Sequence, residues 1–239
     1  MKVLVTGATS GIGRQLALDY HGAGHEVWAL GRSREALAEL ARLGLNCAQL
    51  DLTDRDAVLA WCAPLGGLDL VILNAGTCEY QDMPGFDAAS FIRVMRANVE
   101  SMAICIEGLL PKLLGREGAR LVGVCSSAAY LPLPRAEAYG ASKAAVRYLL
   151  ECLDITLAPH KVAVSTVYPG FVRTPLTDRN DFPMPLAIDV VAASRHIRQG
   201  IARGRRHIHF PKAFTWPLRL LGLLPQWLWR PLASRMIKQ

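Results

Sequence analysis

From Val190 onward the chain contains no aspartate or glutamate, yet ten of its 27 lysines and arginines lie there. The first 189 residues hold seventeen basic side chains against all twenty acidic ones. The formal net charge of +7 therefore belongs to the last fifth of the chain. That distribution excludes a basic surface spread over the whole molecule, and no nucleic-acid partner is expected. Cysteine is scarce: Cys47, Cys62, Cys78, Cys105, Cys125 and Cys152 form no CxxC pair and no zinc-type spacing. No metal site is expected, and most of these thiols, set in apolar runs, read as buried and reduced. No stretch of 18 uncharged apolar residues occurs, which excludes a spanning helix. The opening MKVLVTG reads as a strand and lacks the apolar core of a secretory signal, so a cytoplasmic protein is expected. What is plentiful is apolar: 51% of residues are hydrophobic and only 20% charged, which suits a globular chain with a large core and argues against disorder.

Short β-branched runs alternate with helical patterns. Strands are expected at Lys2–Thr6, Glu26–Leu30, Asn46–Leu50, Leu68–Leu73, Leu121–Cys125, Lys161–Val167 and Arg206–Phe210. Helices are expected at Gly11–Gly22, Ser33–Leu43 with Ser33 as N-cap, from Thr53 as cap to about Ala63, Ala89–Leu114, Glu137–Leu157 and Ala187–Arg203. The alternation predicts an α/β fold: one doubly wound parallel sheet of about seven strands with helices on both faces, spanning residues 1–210. Ligands of such sheets bind at the carboxyl ends of the strands, where the winding reverses. Thr174–Pro185, with three prolines among polar residues, reads as a mobile loop.

Three motifs carry chemistry. Thr6-Gly7-Ala8-Thr9-Ser10-Gly11-Ile12-Gly13 joins the first strand to the first helix. Its glycines permit a tight turn and close approach of a pyrophosphate to a helix N-terminus, although strand-to-helix turns also use glycine for structure alone. Tyr139 and Lys143 stand four apart, on one face of a helix. An ammonium beside a phenol lowers the phenol pKa and suits it to general acid/base work; the other reading is an exposed surface pair. Ser126 ends the fifth strand and can hydrogen-bond a substrate oxygen, with Ser127 as the neighbouring competitor.

Together these residues resemble the short-chain dehydrogenase/reductase family over about residues 1–210. In that resemblance Gly7, Thr9, Ser10, Gly11, Ile12 and Gly13 form the cofactor turn, and Asn74-Ala75-Gly76 is similar to the family's NAG motif. Asp51-Leu52 matches the adenine-ring position. Asn98, Ser126, Tyr139 and Lys143 match the catalytic residues, while Pro169, Gly170, Val172 and Thr174 match the segment that holds the nicotinamide carboxamide. The resemblance implies hydride transfer between a Rossmann-bound nicotinamide and a carbonyl or secondary alcohol carbon of a fairly apolar substrate, with Tyr139 as proton donor. It further implies that Ser126 holds the substrate oxygen, that Lys143 lowers the tyrosine pKa and binds the nicotinamide ribose, and that Asn98 holds a water on the proton path to Lys143. A homodimer or homotetramer is implied. The alternatives are reduction of a 3-oxoacyl carrier protein, or a non-catalytic NADP(H)-binding sensor.

The end of the second strand holds Gly31 where an NAD enzyme of this type carries an acid, followed by Arg32 and Ser33. An arginine there pairs with a 2′-phosphate, to which Ser33 can add a hydroxyl, so NADP(H) is expected in preference to NAD(H). Ser10 occupies the turn position where some NADP-preferring relatives carry a second basic residue.

Residues 211–239 form an apolar, basic tail with Trp216, Trp227, Trp229 and five leucines between Pro217 and Pro225. Arg219, Arg230, Arg235 and Lys238 interrupt or flank them. Short proline-separated helices are expected, with the three tryptophans on one apolar side. That side fits peripheral contact at a membrane surface, a lid over the substrate cleft, or a subunit contact.

Overall fold

A computed structural model describes residues 1–236; Lys238 lies outside the described residues. Seven strands, β1 Lys2–Thr6, β2 Glu26–Gly31, β3 Asn46–Gln49, β4 Leu70–Leu73, β5 Arg120–Val124, β6 Ala163–Pro169 and β7 His207–Phe210, form one sheet in the order β3-β2-β1-β4-β5-β6-β7. Every neighbouring pair is parallel. Consecutive residues of a strand point to opposite faces. Accordingly Val3 and Val5 enter one core with Leu16, Leu40 and Ile197, and Leu4 enters the other with Val58, Leu109 and Leu150. The helices supplying the first core are α1 Gly11–Gly22, α2 Arg34–Arg42 and α7 Val190–Ala202; those supplying the second are α3 Arg55–Cys62, α5 Ser101–Leu113 and α6 Glu137–Thr156. This is the doubly wound Rossmann-like arrangement. Its winding reverses between β1 and β4, which opens a crevice at their carboxyl ends.

Side-chain caps set several helix starts. Ser33 accepts the Ala36 amide, Asp54 that of Ala57, and Asp189 that of Ala192. Thr53 is not the third cap. Its hydroxyl donates to Asp51 Oδ1 at 2.8 Å, which leaves Asp54 to receive the helix amide at 3.0 Å. The helix expected at Ala89–Leu114 is three pieces: α4 Ala88–Met95, a π turn Arg96–Glu100, and α5. Asn98 sits in that turn and is fully buried.

All six cysteines are free, but burial takes only half of them: Cys62, Cys105 and Cys125. Cys47 and Cys78 are partly covered, and Cys152 is exposed because it lies on the outer side of α6. The segment expected to be a mobile loop carries a turn of 3-10 helix at Thr177–Arg179. The tail folds as α8 Lys212–Leu221 and α9 Gln226–Ser234. Pro225 caps α9, whereas Pro217 and Pro231 lie inside their helices. No described helix is long and apolar enough to cross a membrane. The three tryptophans do not share a side: Trp229 is buried, while Trp216 and Trp227 are exposed.

Candidate active site

Two adjoining cavities, about 260 and 120 Å³, run along the carboxyl edge of the sheet. They share Ile12, Asn74, Gly76 and Thr174 among their walls and so form one groove. The turn after β1 builds its near end. Gly7 and Gly11 take φ of +65° and +53°, a backbone region open to glycine. A Cβ on Gly13 would stand 2.3 Å from the Gly7 carbonyl oxygen, so α1 approaches the turn as closely as it does only with glycine there. The first turn of α1 holds no acid, which leaves its amides and positive end free to face an anion. Thr6 ties this turn to the end of β4, since its Oγ1 accepts the amides of Asn74 and Ala75 at 3.0 and 3.2 Å. Asn74 Nδ2 donates to the carbonyls of Thr6 and Gly7.

Gly31, Arg32, Asp51 and Leu52 complete this half. Arg32 is exposed, and no carboxylate forms an ion pair with it among the described residues. Asp51 is held below the usual carboxylate range by the Thr53 amide and then the Thr53 hydroxyl.

The other half is lined by Ser126, Tyr139, Lys143, Pro169, Gly170, Val172 and Thr174. β5 continues past Val124 through a bond from the Cys125 amide to the Val167 carbonyl, which carries Ser126 to the groove in extended backbone. Ser126 lines the cavity and Ser127 does not. Tyr139 and Lys143 lie on α6, with Lys143 Nζ 5.7 Å from the tyrosine ring centre and donating to the Val124 carbonyl at 3.1 Å. Burial pushes the Tyr139 phenol above its ordinary range, and a hydrogen bond with Ser126 opposes it. The net direction is upward, opposite to that expected from the ammonium alone, because desolvation dominates. Burial likewise pushes the Lys143 ammonium down. The nearby thiols Cys78 and Cys125 are each raised by burial to about 11 and stay neutral, so the site has no thiolate nucleophile from these two.

Three residues expected in the site do not line the groove. Gly13 packs beneath it. Ser33 Oγ accepts the Ala36 amide as the α2 cap and keeps its hydroxyl proton to donate. Asn98 is enclosed behind the wall: Oδ1 accepts the Thr77 amide at 2.7 Å, and Nδ2 donates to the Thr77 carbonyl and Ser142 Oγ, both at 2.9 Å. Its side chain thus anchors the loop segment after Gly76 to α6. A Cβ on Gly76 would meet Asn98 Oδ1 at 2.9 Å and Lys143 Nζ at 3.5 Å, so glycine keeps that corridor open. Thr77 and Leu176 also line the groove, as does Thr53, which was expected only as a helix cap. Gly13→Ala is expected to destabilise the fold by about 1–3 kcal/mol through overpacking and to weaken dinucleotide binding; thermal unfolding and cofactor titration check both.

The profile of the short chain dehydrogenase family matches residues 1–182. The chain belongs to that family of oxidoreductases. It is 36% identical over 243 residues to an uncharacterized oxidoreductase of Myxococcus xanthus, covering 98% of this chain and 96% of that one. A short chain dehydrogenase from Burkholderia cenocepacia solved in complex with NADP superposes with a TM-score of 0.87 at 24% identity, covering 100% of this chain and 98% of that one. A relative from Burkholderia phymatum in complex with NAD gives 0.81 at 24% identity, with 92% of each chain covered. These two structural likenesses concern the fold alone.

Proposed function

We propose that the protein transfers a hydride between NADP(H) and a carbonyl or secondary alcohol carbon of a fairly apolar substrate. The observation that carries this reading is the single groove running from the Arg32 guanidinium, which has no ion-pair partner among the described residues, to Ser126, Tyr139 and Lys143. A dinucleotide fits its donor set. The α1 amides and Gly7–Gly13 turn would hold the pyrophosphate, Arg32 the 2′-phosphate, and Asp51 and Leu52 the adenine end. Lys143, Pro169, Gly170, Val172 and Thr174 would hold the nicotinamide end. The nicotinamide supplies the hydride when bound. Ser126 hydrogen-bonds the substrate oxygen and Tyr139 donates its phenolic proton to that oxygen during reduction. Lys143, held by the Val124 carbonyl, positions a cation beside the phenol.

An apolar substrate is supported by a run of ring contacts beside this end: Tyr80 with Phe182 at 5.3 Å, Phe182 with Phe171 at 6.1 Å, and Phe171 with Phe214 at 5.1 Å. Oxidation of NADPH with a panel of apolar ketones and a 3-oxoacyl thioester tests the reading. Turnover of the thioester alone favours carrier-protein reduction, and binding without any turnover favours the sensor.

Exposed Ile92 on α4 and Tyr148 and Ile155 on α6 support pairing through these long helices, as an isologous dimer or a tetramer built from it. Light scattering at micromolar concentration should give at least the dimer mass; monomer alone defeats the pairing.

A further inference from the structure

We propose that the outer side of α8 and α9 docks on an anionic lipid surface, with the catalytic half of the groove held next to it. The two helices have contrasting sides. On the inner side, Phe214 packs on Phe171 and occupies the space a Cβ on Gly170 would need, 2.7 Å from its Cδ1. A Cβ on Gly222 would stand 2.4 Å from the Tyr130 carbonyl oxygen. Trp229 donates its Nε1–H to the Pro132 carbonyl at 2.7 Å. These contacts fasten the tail to Gly170, a wall of the catalytic cavity, and to the loop that leaves Ser126.

On the outer side, Trp216, Leu220, Leu223 and Trp227 are 46%, 60%, 78% and 72% exposed. Trp216 and Leu220 stand four apart on one face of α8. Four large apolar side chains within twelve residues are more than the scattered singles an ordinary surface carries. Lys212, Arg219, Arg230 and Arg235 stand exposed among them, with no ion-pair partner among the described residues. Arg219 lies over the Trp216 ring at 5.4 Å.

Charge complementarity selects the occupant. No acid follows Asp189, so a second copy of this segment would bring the same cations and nothing to pair with them. A lipid interface supplies both requirements at once: anionic headgroups for the arginines and an acyl boundary for the leucines, with indole rings at headgroup level. Helices of ten and nine residues lie flat in such an interface and do not span it. This docking does not depend on the hydride-transfer reading.

The test is sedimentation of the protein with phosphatidylcholine vesicles, with and without phosphatidylserine. Binding is expected only with phosphatidylserine, and high salt should reduce it, because the cations act over a screening length of about 8–10 Å. The double substitution Leu223→Ser/Trp227→Ser should lower partitioning at least about tenfold. Arg219→Gln should lower it about fivefold. Neither change touches the groove, so NADPH binding and molecular mass should be retained. Absence of binding to phosphatidylserine vesicles overturns the proposal, as does binding that the double substitution leaves unaltered. A fall in mass with the double substitution, without vesicle binding by the original protein, assigns the face to a second copy instead. Vesicle binding by a protein that turns over no ketone supports the docking and counts only against the proposed reaction.

Discussion

Tyr139→Phe should leave the fold and NADPH binding intact and cut reductive turnover by roughly 10²–10⁴, the scale of general acid catalysis. The substitution removes one oxygen at the half-buried position where α6 faces Ser126. The backbone around it is secured independently, since Ser142 Oγ donates to the Tyr139 carbonyl at 2.7 Å. The direction of the phenol's pKa carries a second consequence. Burial raises it, so the proton stays on through neutral pH and is available to a substrate oxygen during reduction. Oxidation of an alcohol needs the opposite state, the phenolate. Its rate should therefore climb with pH well above neutrality, while the reductive rate shows no loss over the same range from deprotonation of this group. Stopped-flow measurement of both directions across pH checks the pair. Near-normal turnover in Tyr139→Phe, on a ketone that the unaltered protein reduces, removes Tyr139 as the acid.

Much of this site was legible in the sequence because its parts sit where secondary structure changes type. Thr6 to Gly11 is a break between a period-two and a period-3.6 pattern, and β1 and α1 begin and end at the expected residues. That Tyr139 and Lys143 share a face follows from helical spacing once α6 is placed, whereas their place in the site came from the family resemblance. What the sequence conceals is competition for single polar atoms. Ser33 reads both as a cap and as a phosphate ligand; the 3.3 Å bond from the Ala36 amide makes it the cap and leaves its hydroxyl proton to donate. Thr53 and Asp54 are adjacent capping types, and the choice turns on Asp51 engaging the threonine first. The π turn at Arg96–Glu100 is invisible because the apolar spacing on either side continues a helix; one extra residue per turn shifts Asn98 to the enclosed side without breaking the pattern. The tail fails for a similar reason. Trp227 and Trp229 share composition, but two residues along a helix is about 200° of rotation, so one faces Pro132 and the other does not.

Arg32→Ala should weaken NADPH binding by about 1.5–3 kcal/mol, the value of a hydrogen bond to a charged group, roughly tenfold to a hundredfold in Kd. NADH binding should change little. The asymmetry follows from what surrounds Arg32. Among the described residues no carboxylate is in ion-pair contact with its side chain, although its charge adds to the Thr53 bonds that hold Asp51 low. The 2′-hydroxyl of NADH offers no charge for it to meet. Gly31 supports the same preference from the other direction. A Cβ there would come 2.4 Å from Thr9 Cγ2, so any side chain at that position would first have to shift the Thr9 side chain. The acid that selects NAD in related sites is therefore missing, and the space it would enter is taken by the Thr9 side chain. Fluorescence titration of both cofactors against both proteins decides the matter. Equal losses for the two cofactors would mean that Arg32 supports the turn and does not read the 2′-phosphate. Tighter binding of NADH than of NADPH by the unaltered protein would reverse the preference outright.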